Sequence, residues 1–599
     1  MEKDNNNQIT LPNQTAYEFL EERTKNIGAN IAKNMYGKKI TYDEFRENIA
    51  SAAKGFDGMG ISYRNRVGII MPNVPETAYM QYGLNKIGAV ADYIDPRTKP
   101  AVLKEFIDKE KIEMIVCAKE CYDSTILPVE NEIMEMLKVK DIVIPSSIRS
   151  LPSGIKQLVA LKSFLTSKHE DKSVTSKISY DTFLKQSKKL PGYTISGDAS
   201  NLAIITHSSG TTGIPKPIPL TNENMNSLVI QHDMIDLGIK PGMTMLHILP
   251  YFAAYGSVNS EHLGTCMGME MLEVPVFDLA KFPELILKLK PNIIIGIPSW
   301  FELLIKSPAT QNADLSFLKI AVAGGDSLDP KTEQKINNFL IEHNAQCVLT
   351  KGHGMSEIAG CGTYTTNDCN HIGDVGKELP LTHYYVVDPI TKKEIIFDGS
   401  KDITGEAYIT GPALTPGNLD GREIVSTTML NNQRCIISGD LITKRKNGSI
   451  HFEERLDRGF TRFDGYKIHP AKIEECILKH SAIKDCMIVN YYDDKHFGNM
   501  PIVHVVLEDN IELASKEEII KEIIFEIIQE DKNMTTRDIP TKWKFRTNIP
   551  LTLMSKKDYM ALKNEELDGS ELNVIIDEDN MKLQNITIES EKNPLLIKK

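Results

Sequence analysis

The chain is poor in cysteine and tryptophan, and it lacks both a long apolar run and an excess of positive charge. Its 599 residues include nine cysteines and two tryptophans. Nine scattered cysteines are too few for the disulfide framework of a secreted protein. Only Cys117/Cys121 and Cys361/Cys369/His371 cluster, and neither group has the CxxC spacing of a zinc site. We therefore expect reduced thiols, no cysteine-bound metal and a cytoplasmic location.

The charge and hydropathy of the chain also restrict its partners. A net charge of −12 does not provide the basic face that nucleic-acid phosphates need, so we expect no nucleic-acid partner. No apolar stretch approaches the roughly 20 residues that span a bilayer. The polar opening MEKDNNNQIT has no signal-peptide core. The rest of the composition, 41% hydrophobic and 25% charged, is that of a globular protein.

Apolar strands alternate with helical patterns over most of the chain. Buried strands are predicted at RVGIIMPN, NLAIITH, MTMLHILP, NIIIGIPS and LKIAVAGG. This alternation predicts a large α/β domain with doubly wound sheets, whose ligand loops follow the carboxyl ends of the strands. Strand patterns at CMIVNYY and IVHVVLED and an amphipathic helix at SKEEIIKEIIFEIIQED predict a smaller α+β domain. We place the domains at 1–456 and 457–568, followed by a tail at 569–599.

The stretch HSSGTTGIPKPIPLT (207–221) directly follows one of these strands. Glycines let backbone amides point inward, hydroxyls add donors, and a lysine adds a mobile positive charge, which together suit phosphate oxygens. The spacing is not that of a Walker A loop. The expected phosphate ligands are Ser208, Ser209, Gly210, Thr211, Thr212, Gly213 and Lys216.

This loop resembles the phosphate-binding signature of the acyl-adenylate-forming (AMP-binding) superfamily, which includes acyl-CoA synthetases, nonribosomal-peptide adenylation domains and firefly luciferase. Further motifs resemble that superfamily in the same order, from about residue 15 to 565. They are AGGDSL (323–328), GHGMSE (352–357), SGDL (438–441), ERLDRGFTRFDGYKIHPAKIEE (454–475) and PLTLMSKKDYMAL (550–562).

The resemblance implies a two-step reaction on ATP, a carboxylic acid and coenzyme A. The carboxylate attacks the α-phosphate to give acyl-AMP and pyrophosphate, and a thiol then displaces AMP. Lys556 is the expected catalytic lysine, with the adjacent Lys557 as the alternative register. Glu357 would bind Mg²⁺, with Ser356 beside it on a phosphate. Asp440 would accept hydrogen bonds from the ribose hydroxyls.

The resemblance implies roles for further residues of the nucleotide and thiol sites. Gly324, Gly325 and Asp326 would lie beside adenine, and His353 with Gly354 takes the place where an aromatic residue usually packs on the base. Arg455 would contact ribose or phosphate, and Asp457 would be the hinge at which a mobile C-terminal domain rotates. Gly465 and Lys467 would face the thiol. This chain departs from the family at Ala253, where many relatives have histidine, at Lys472 and at Ser555.

The acyl site of such enzymes implies an apolar monocarboxylic acid here, a medium- or long-chain fatty acid ahead of an aromatic acid. Its expected lining contains no lysine, arginine or acid, apart from the nearby Asp326, and an unpaired charge in a pocket costs several kcal/mol. The expected lining residues are Tyr251, Phe252, Ala253, Ala254, Tyr255, Trp300, Gly324 and Gly325.

Three alternatives remain open from the sequence. The acceptor thiol is coenzyme A or the phosphopantetheine arm of a separate carrier protein. A non-catalytic relative that only binds nucleotide is the rival from another class. The segment 150–172 has apolar residues near helical spacing with interleaved lysines, which suits a core-packed helix or a helix at a membrane surface. The sequence does not indicate an oligomeric state.

Overall fold

The computed structural model describes most of the chain, which forms two compact units. The larger unit comprises Met1–Ser208 and Lys216–Glu454, and the smaller is built from Arg455–Lys599. The predicted domain limits at 456 and 568 stay predictions. The described residues are 10–145, 150–152, 176–186, 198–208, 215–275, 278–325, 328, 330–366, 369–456, 459–468, 470–508, 516–529, 534–550, 559–563, 565, 571–575 and 587–590.

A first seven-stranded sheet, sheet I, lies in the larger unit. Its strands are parallel except for the antiparallel pair formed by the last two. They are buried as apolar runs, which is typical of parallel strands covered on both faces. In spatial order they are Ser176–Ser179, Asp141–Ile144, Ile112–Cys117, Arg66–Ile70, Val90–Tyr93, Leu202–Ser208 and Lys216–Thr221.

A second seven-stranded sheet, sheet II, repeats this arrangement. Five neighbouring pairs are parallel, and the edge pair Ile31–Met35 with Lys38–Thr41 is antiparallel. In spatial order its strands are Leu349–Lys351, Ile320–Ala323, Ile293–Gly296, Thr244–His247, Glu270–Glu273, Ile31–Met35 and Lys38–Thr41.

Helices connect these strands, and their first turns follow local sequence signals. The helix Tyr42–Gly58 starts at Thr41, whose side chain accepts from the amide of Glu44 while Glu44 bonds back to the amide of Thr41. The long helices of the larger unit are Ala16–Thr24, Tyr42–Gly58, Pro75–Lys86, Pro100–Lys109, Asn222–Ile235, Phe282–Leu289, Pro298–Lys306 and Pro330–Glu342. Shorter helices are Lys119–Thr125, Glu130–Met136, Tyr180–Gln186 and Leu263–Cys266. The predicted α/β class with doubly wound sheets is confirmed.

The larger unit ends in a third sheet, sheet III, which is antiparallel. It carries the Ser-Gly-Asp motif on its longest strand. Its strands are His383–Val387, Ile403–Thr410, Gln433–Lys444 and Thr427–Leu430, with Ile450–Arg455 beside Gln433–Lys444. Short strand pairs are Thr363–Tyr364 with Lys377–Glu378 and Asn418–Leu419 with Arg422–Glu423.

The smaller unit is the predicted α+β domain. A five-stranded sheet packs isoleucines of the helices Pro470–Leu478 and Lys516–Gln529 around Trp543. The helix Tyr559–Lys563 and the strand pair Phe460–Thr461 with Lys467–Ile468 complete it. The strands of the sheet are, in order, Ile483–Asp493, Gly498–Leu507, Lys542–Arg546, Glu571–Ile575 and Thr587–Ser590.

Two expectations about membranes have different outcomes. No helix in the described part of the chain is long and apolar enough to cross a bilayer. Most of the segment 150–172 lies outside the described residues, so both alternatives for it stay predictions.

We predict that His262 makes the larger unit sensitive to acid. Its ring is fully buried between the hydroxyl of Tyr82 (3.0 Å) and the amide oxygen of Asn226 (3.1 Å). Burial, aided by the charge of Arg23, lowers the pKa of His262 to about 3. In the unfolded chain His262 binds a proton near pH 6.5, whereas in the folded chain it stays neutral at that pH. The free energy of unfolding therefore falls as the pH drops. Between pH 7 and pH 5 this loss amounts to about 2 kcal/mol.

Urea unfolding followed by tryptophan fluorescence at both pH values checks this. The change His262→Gln should lower stability at pH 7 but remove about 2 kcal/mol of the loss between pH 7 and pH 5. Tyr82→Phe, which deletes the hydroxyl partner and titrates nothing, should keep the loss of the unmodified protein. An identical loss in His262→Gln would contradict the prediction.

Candidate active site

Sheets I and II meet where two functional segments of the sequence lie. The amide of His207, at the end of the strand Leu202–Ser208, donates to the carbonyl of Phe252 (3.0 Å). The side-chain amide of Asn73 donates to the carbonyl of Leu249 (2.7 Å). Because these contacts join the carboxyl ends of parallel strands, the start of the phosphate loop and the acyl segment are neighbours.

The two ends of the predicted phosphate loop are held together as a hairpin. Ser208 closes one strand of sheet I and lies opposite Lys216, which opens the next strand in antiparallel register. The intervening Ser209, Gly210, Thr211, Thr212 and Gly213 lie outside the described residues. The hairpin brings the lysine to the same edge of the sheet as Ser208.

A short 3₁₀ turn, Ser356–Ile358, carries the predicted Mg²⁺ carboxylate of Glu357. The turn packs against both strands of that hairpin. The carbonyl of Glu357 accepts from the amide of Thr415 (2.8 Å), and the Thr415 hydroxyl donates to the carbonyl of Pro219 (2.5 Å). The structure thus places Ser356 and Glu357 beside the described ends of the phosphate loop.

His353 and Asp440 are in direct contact, although they are 87 residues apart. Nε2 of His353 lies 2.9 Å from Oδ2 of Asp440, and Nδ1 lies 2.9 Å from the hydroxyl of Tyr384. The ring also stacks at 5.9 Å on Phe452. Asp440 is nearly fully buried on the long strand of sheet III. The imidazole therefore has a fixed orientation, and the predicted ribose carboxylate takes part in fixing it.

Three predicted glycines lie where a side chain would not fit. A Cβ on Gly354 would lie 2.1 Å from the carbonyl oxygen of Gly360. Gly325 has φ of +81°, a conformation that side-chain-bearing residues rarely adopt. A Cβ on Gly324 would lie 2.9 Å from the hydroxyl oxygen of Tyr255. Gly354 and Gly324 therefore allow close approach of the backbone to its neighbours, and Gly325 allows a backbone conformation that other residues rarely adopt.

The acyl segment is a π-helix, Tyr255–His262, that directly follows the small residues Ala253 and Ala254. The hydroxyl of Tyr255 donates to the carbonyl of Gly296 (3.3 Å) and lies 2.9 Å from the place where a Cβ on Gly324 would stand. The amide of Asn259 donates to the carbonyl of Ala359 (2.8 Å), which directly follows the Glu357 turn. The acyl wall and the carboxylate turn are therefore tied together.

Behind this wall lies a buried ionic network that the sequence did not reveal. Lys33 Nζ lies 2.5 Å from Glu261 and 3.1 Å from Glu273, and Nδ1 of His247 lies 2.8 Å from Glu273. All four side chains are fully buried, and the ring of Tyr251 packs against His247 at 5.1 Å. Burial alone would raise the pKa of Glu273, but Lys33 and His247 lower it to about 2.

This network has no motif because its members come from distant parts of the chain. Lys33 and Glu261 are 228 residues apart. The only sequence signal is a charged residue inside the strand pattern IAKNM, with another inside the otherwise neutral NSEHLG.

The smaller unit contributes the predicted thiol-side residues. Gly465, with φ of +78°, forms the turn before the strand Lys467–Ile468, and its amide donates to the carbonyl of Arg462 (2.9 Å). The side chains of Lys467 and Arg455 are not described. Asp326, Asp457 and Lys556 lie outside the described residues. The roles assigned to these residues stay predictions.

A phosphate-loop hairpin, a carboxylate turn and a buried carboxylate on a neighbouring sheet define a nucleotide-binding α/β enzyme. The chain belongs to the AMP-binding enzyme family, which matches residues 16–419. It is 23% identical to the long-chain-fatty-acid–CoA ligase of Bacillus subtilis (strain 168) over 573 residues, 94% of this chain and 96% of that one. It is 25% identical to 4-coumarate–CoA ligase 1 of Solanum tuberosum over 503 residues, 81% and 83% of the two chains.

The fold is also similar to solved structures. Amide bond synthetase McbA from Marinactinospora thermotolerans superposes with a TM-score of 0.67 at 18% identity, covering 92% of this chain and 99% of that one. Such a likeness concerns the fold alone. Family membership confirms the resemblance predicted from the motifs, and with it the enzyme class, an AMP-forming acid–thiol ligase.

We predict that Gly324→Ala impairs use of the acid because its methyl group meets the Tyr255 hydroxyl at 2.9 Å. Overpacking of this kind costs about 1–3 kcal/mol, or about 5- to 150-fold in kcat/KM. Adding Tyr255→Phe removes the atom that clashes and should restore part of the loss. Steady-state kinetics of the two single variants and the double variant measure the coupling. Additive losses would show that the two residues do not meet in the working enzyme.

Proposed function

We propose that this enzyme activates a medium- or long-chain fatty acid with ATP and transfers the acyl group to coenzyme A. In the first half-reaction an oxygen of the acid carboxylate attacks the α-phosphorus of ATP. Acyl-AMP forms and pyrophosphate leaves. In the second, the thiol sulfur attacks the acyl carbon, the bond to AMP breaks, and the thioester forms.

The nucleotide would be held by the elements that converge at the hairpin. The loop from Ser208 to Lys216 would bind the β- and γ-phosphates, because its amides, hydroxyls and lysine supply donors and positive charge. Asp440 would accept hydrogen bonds from ribose, and His353 would hold the Asp440 carboxylate in place. His353 would then present the edge or face of a fixed ring to the base.

The fit of Mg²⁺ to this site rests on Glu357. A carboxylate is the hard oxygen ligand that Mg²⁺ prefers, and the Glu357 turn packs against the strands that frame the phosphate loop. Bound there, the ion would supply positive charge to the phosphates and to pyrophosphate as it leaves. Ser356 would donate its hydroxyl to a phosphate oxygen.

The apolar acid is supported by the wall around Tyr255. Its described components are the ring of Tyr255, the indole of Trp300 and the backbone of Gly296 and Gly324. The charged groups behind it, Lys33 and its partners, are fully buried and paired with one another. Arg97 lies over Phe252 but forms an ion pair with Asp95.

That wall explains why a charged substrate is disfavoured. An ammonium or a second carboxylate brought against it would lose its hydration without gaining a partner, which costs several kcal/mol. Each buried methylene of a chain would instead add about 0.8 kcal/mol to binding. The similarity to a long-chain-fatty-acid–CoA ligase over nearly the whole length points the same way.

An aromatic acid is the second candidate. The ring of Tyr255 lies close to Gly324 and Gly325, and a planar acid could stack on it. The 4-coumarate–CoA ligases among the relatives act on an acid of this type by name. Coenzyme A is the proposed acceptor because relatives that match most of the chain are CoA ligases by name.

We expect kcat/KM to rise from acetate through hexanoate to decanoate and palmitate. The physical reason is the burial of successive methylenes against an uncharged wall. The measurement is acid-dependent exchange of labelled pyrophosphate into ATP, followed by thioester formation with coenzyme A. Benzoate and 4-coumarate test the second candidate, and amino acids serve as controls. A preference for acetate or for any amino acid would overturn the substrate while leaving the reaction class standing.

We expect Lys556→Ala to lose acyl-adenylate formation by about 10²–10³-fold, because one well-placed charge is removed from a transition state. The same variant should still convert supplied acyl-AMP and coenzyme A to the thioester. Lys557→Ala is the matched control and should retain both half-reactions. If Lys557→Ala is the inactive variant, the register of the lysine loop is wrong by one residue.

A further inference from the structure

Three buried side chains converge directly beneath the start of the phosphate loop. They are His207 on the strand Leu202–Ser208, Asp92 on the strand Val90–Tyr93, and Glu110 at the end of the helix Pro100–Lys109. Nε2 of His207 lies 3.1 and 3.3 Å from the two carboxylate oxygens of Glu110 and 3.8 Å from Asp92. One ligand atom from each residue lies within 4.8 Å of the other two.

The His207 ring is held with one nitrogen aimed at the two carboxylates. Its Nδ1 lies 2.7 Å from the carbonyl oxygen of Tyr93, so this nitrogen carries a hydrogen and donates it. Phe106 stacks on the ring at 4.5 Å and fixes its plane. A histidine that donates one ring N–H to a backbone carbonyl and points the other nitrogen at carboxylates has the usual arrangement of a metal-ligating histidine.

Asp92 supplies the second observation. It is fully buried, and neither of its carboxylate oxygens has a hydrogen-bond partner among the described residues. The nearest guanidinium, that of Arg66, bonds instead to the carbonyl of Glu110 and to the carboxylate of Asp420. The Asp92 carboxylate therefore faces Glu110 and His207 with unused acceptor capacity.

The chain contains a second buried trio of one histidine and two carboxylates, and there a lysine lies between the carboxylates. His247, Glu261 and Glu273 also bring their ligand atoms within 4.8 Å of one another. In that trio Lys33 inserts its ammonium between the carboxylates. Within the described parts of the chain, no lysine or arginine forms an ion pair with Asp92 or Glu110. The first trio thus has no lysine or arginine in the position that Lys33 occupies in the second.

We propose that Asp92, Glu110 and His207 bind a divalent first-row transition-metal ion, with Zn²⁺ as the representative ion. One imidazole nitrogen and two carboxylates suit such an ion better than Ca²⁺ or Mg²⁺, which prefer oxygen ligands alone. The charges of the ion and of the two carboxylates cancel in the buried site. A proton on Asp92 would provide a partner for only one of its carboxylate oxygens. A metal ion bound by both oxygens would provide a partner for each.

This ion would be structural, and it would stabilise the base of the phosphate loop. His207 precedes Ser208, and its amide bonds to Phe252 of the acyl segment. Fixing the imidazole therefore fixes the point from which both substrate segments start. The site is distinct from Glu357 and from the Mg²⁺ that accompanies ATP.

The test is the metal content of the full-length protein, measured by inductively coupled plasma mass spectrometry after expression with added zinc. We expect about one tightly bound ion per chain. Asp92→Asn should lower the content at least tenfold. Glu273→Gln, a matched carboxylate-to-amide change in the trio that contains Lys33, should keep it. Absence of stoichiometric metal from the unmodified protein, or equal content in Asp92→Asn, would overturn the proposal.

A second measurement covers the case in which Asp92→Asn does not fold. The unmodified protein, stripped with a chelator under mild urea and returned to buffer, should regain thermal stability when Zn²⁺ alone is added, because an ion that binds only the folded chain stabilises it. Mg²⁺ at the same concentration should not do so. An unchanged Tm with Zn²⁺ would count against the site. Neither measurement depends on the acid that the enzyme uses.

Discussion

The hydrogen bond between the amide of His207 and the carbonyl of Phe252 joins the two sheets on which the active site depends. The phosphate loop leaves sheet I at this point, and the acyl segment leaves sheet II. The reaction brings a carboxylate to a phosphorus, so the two segments must be held in register to within a fraction of an ångström. The contact of Tyr93 with Tyr251 at 5.4 Å and the Asn73 bond to Leu249 reinforce the same junction.

Buried charge supports this junction from both sides. The trio of Asp92, Glu110 and His207 lies on the sheet I side, and Lys33 with its partners lies on the sheet II side. A buried ion pair adds little net stability because desolvation offsets its attraction, but breaking it is strongly destabilising. Such groups therefore restrict the number of arrangements that the strand ends can adopt. We infer that their main contribution is to the geometry of the site rather than to the free energy of unfolding.

Much of the fold was predictable because parallel strands that are buried on both faces have continuous apolar sequences. The runs at Arg66–Ile70 and Ile293–Gly296 were read correctly for this reason. The antiparallel sheet III was not predicted, since strands such as Gln433–Lys444 alternate buried and exposed positions and carry polar residues. The π-helix was also missed: Asn259, Glu261 and His262 are polar, yet each is buried because its partner comes from another element.

In the candidate site, too, some features were predictable from the sequence and others were not. Ser208 and Lys216 could be named from the glycines and hydroxyls of their loop, and Glu357 and Asp440 from the resemblance of their motifs to the family. The roles of all four stay predictions. The contact of His353 with Asp440 could not be predicted, since nothing in either motif encodes a pairing across 87 residues.

The contact between His353 and Asp440 changes the interpretation of a histidine at position 353, where the family usually has an aromatic residue. An aromatic ring at this place packs against the base and leaves the ribose carboxylate to the nucleotide. An imidazole can do more, because its edge bonds to Asp440 while Tyr384 holds the other nitrogen. In the proposed role of Asp440, the carboxylate would already be oriented before ATP arrives, and less side-chain freedom would be lost when ribose binds. Histidine at this position would then exchange stacking area for preorganisation, which is compatible with a working nucleotide site.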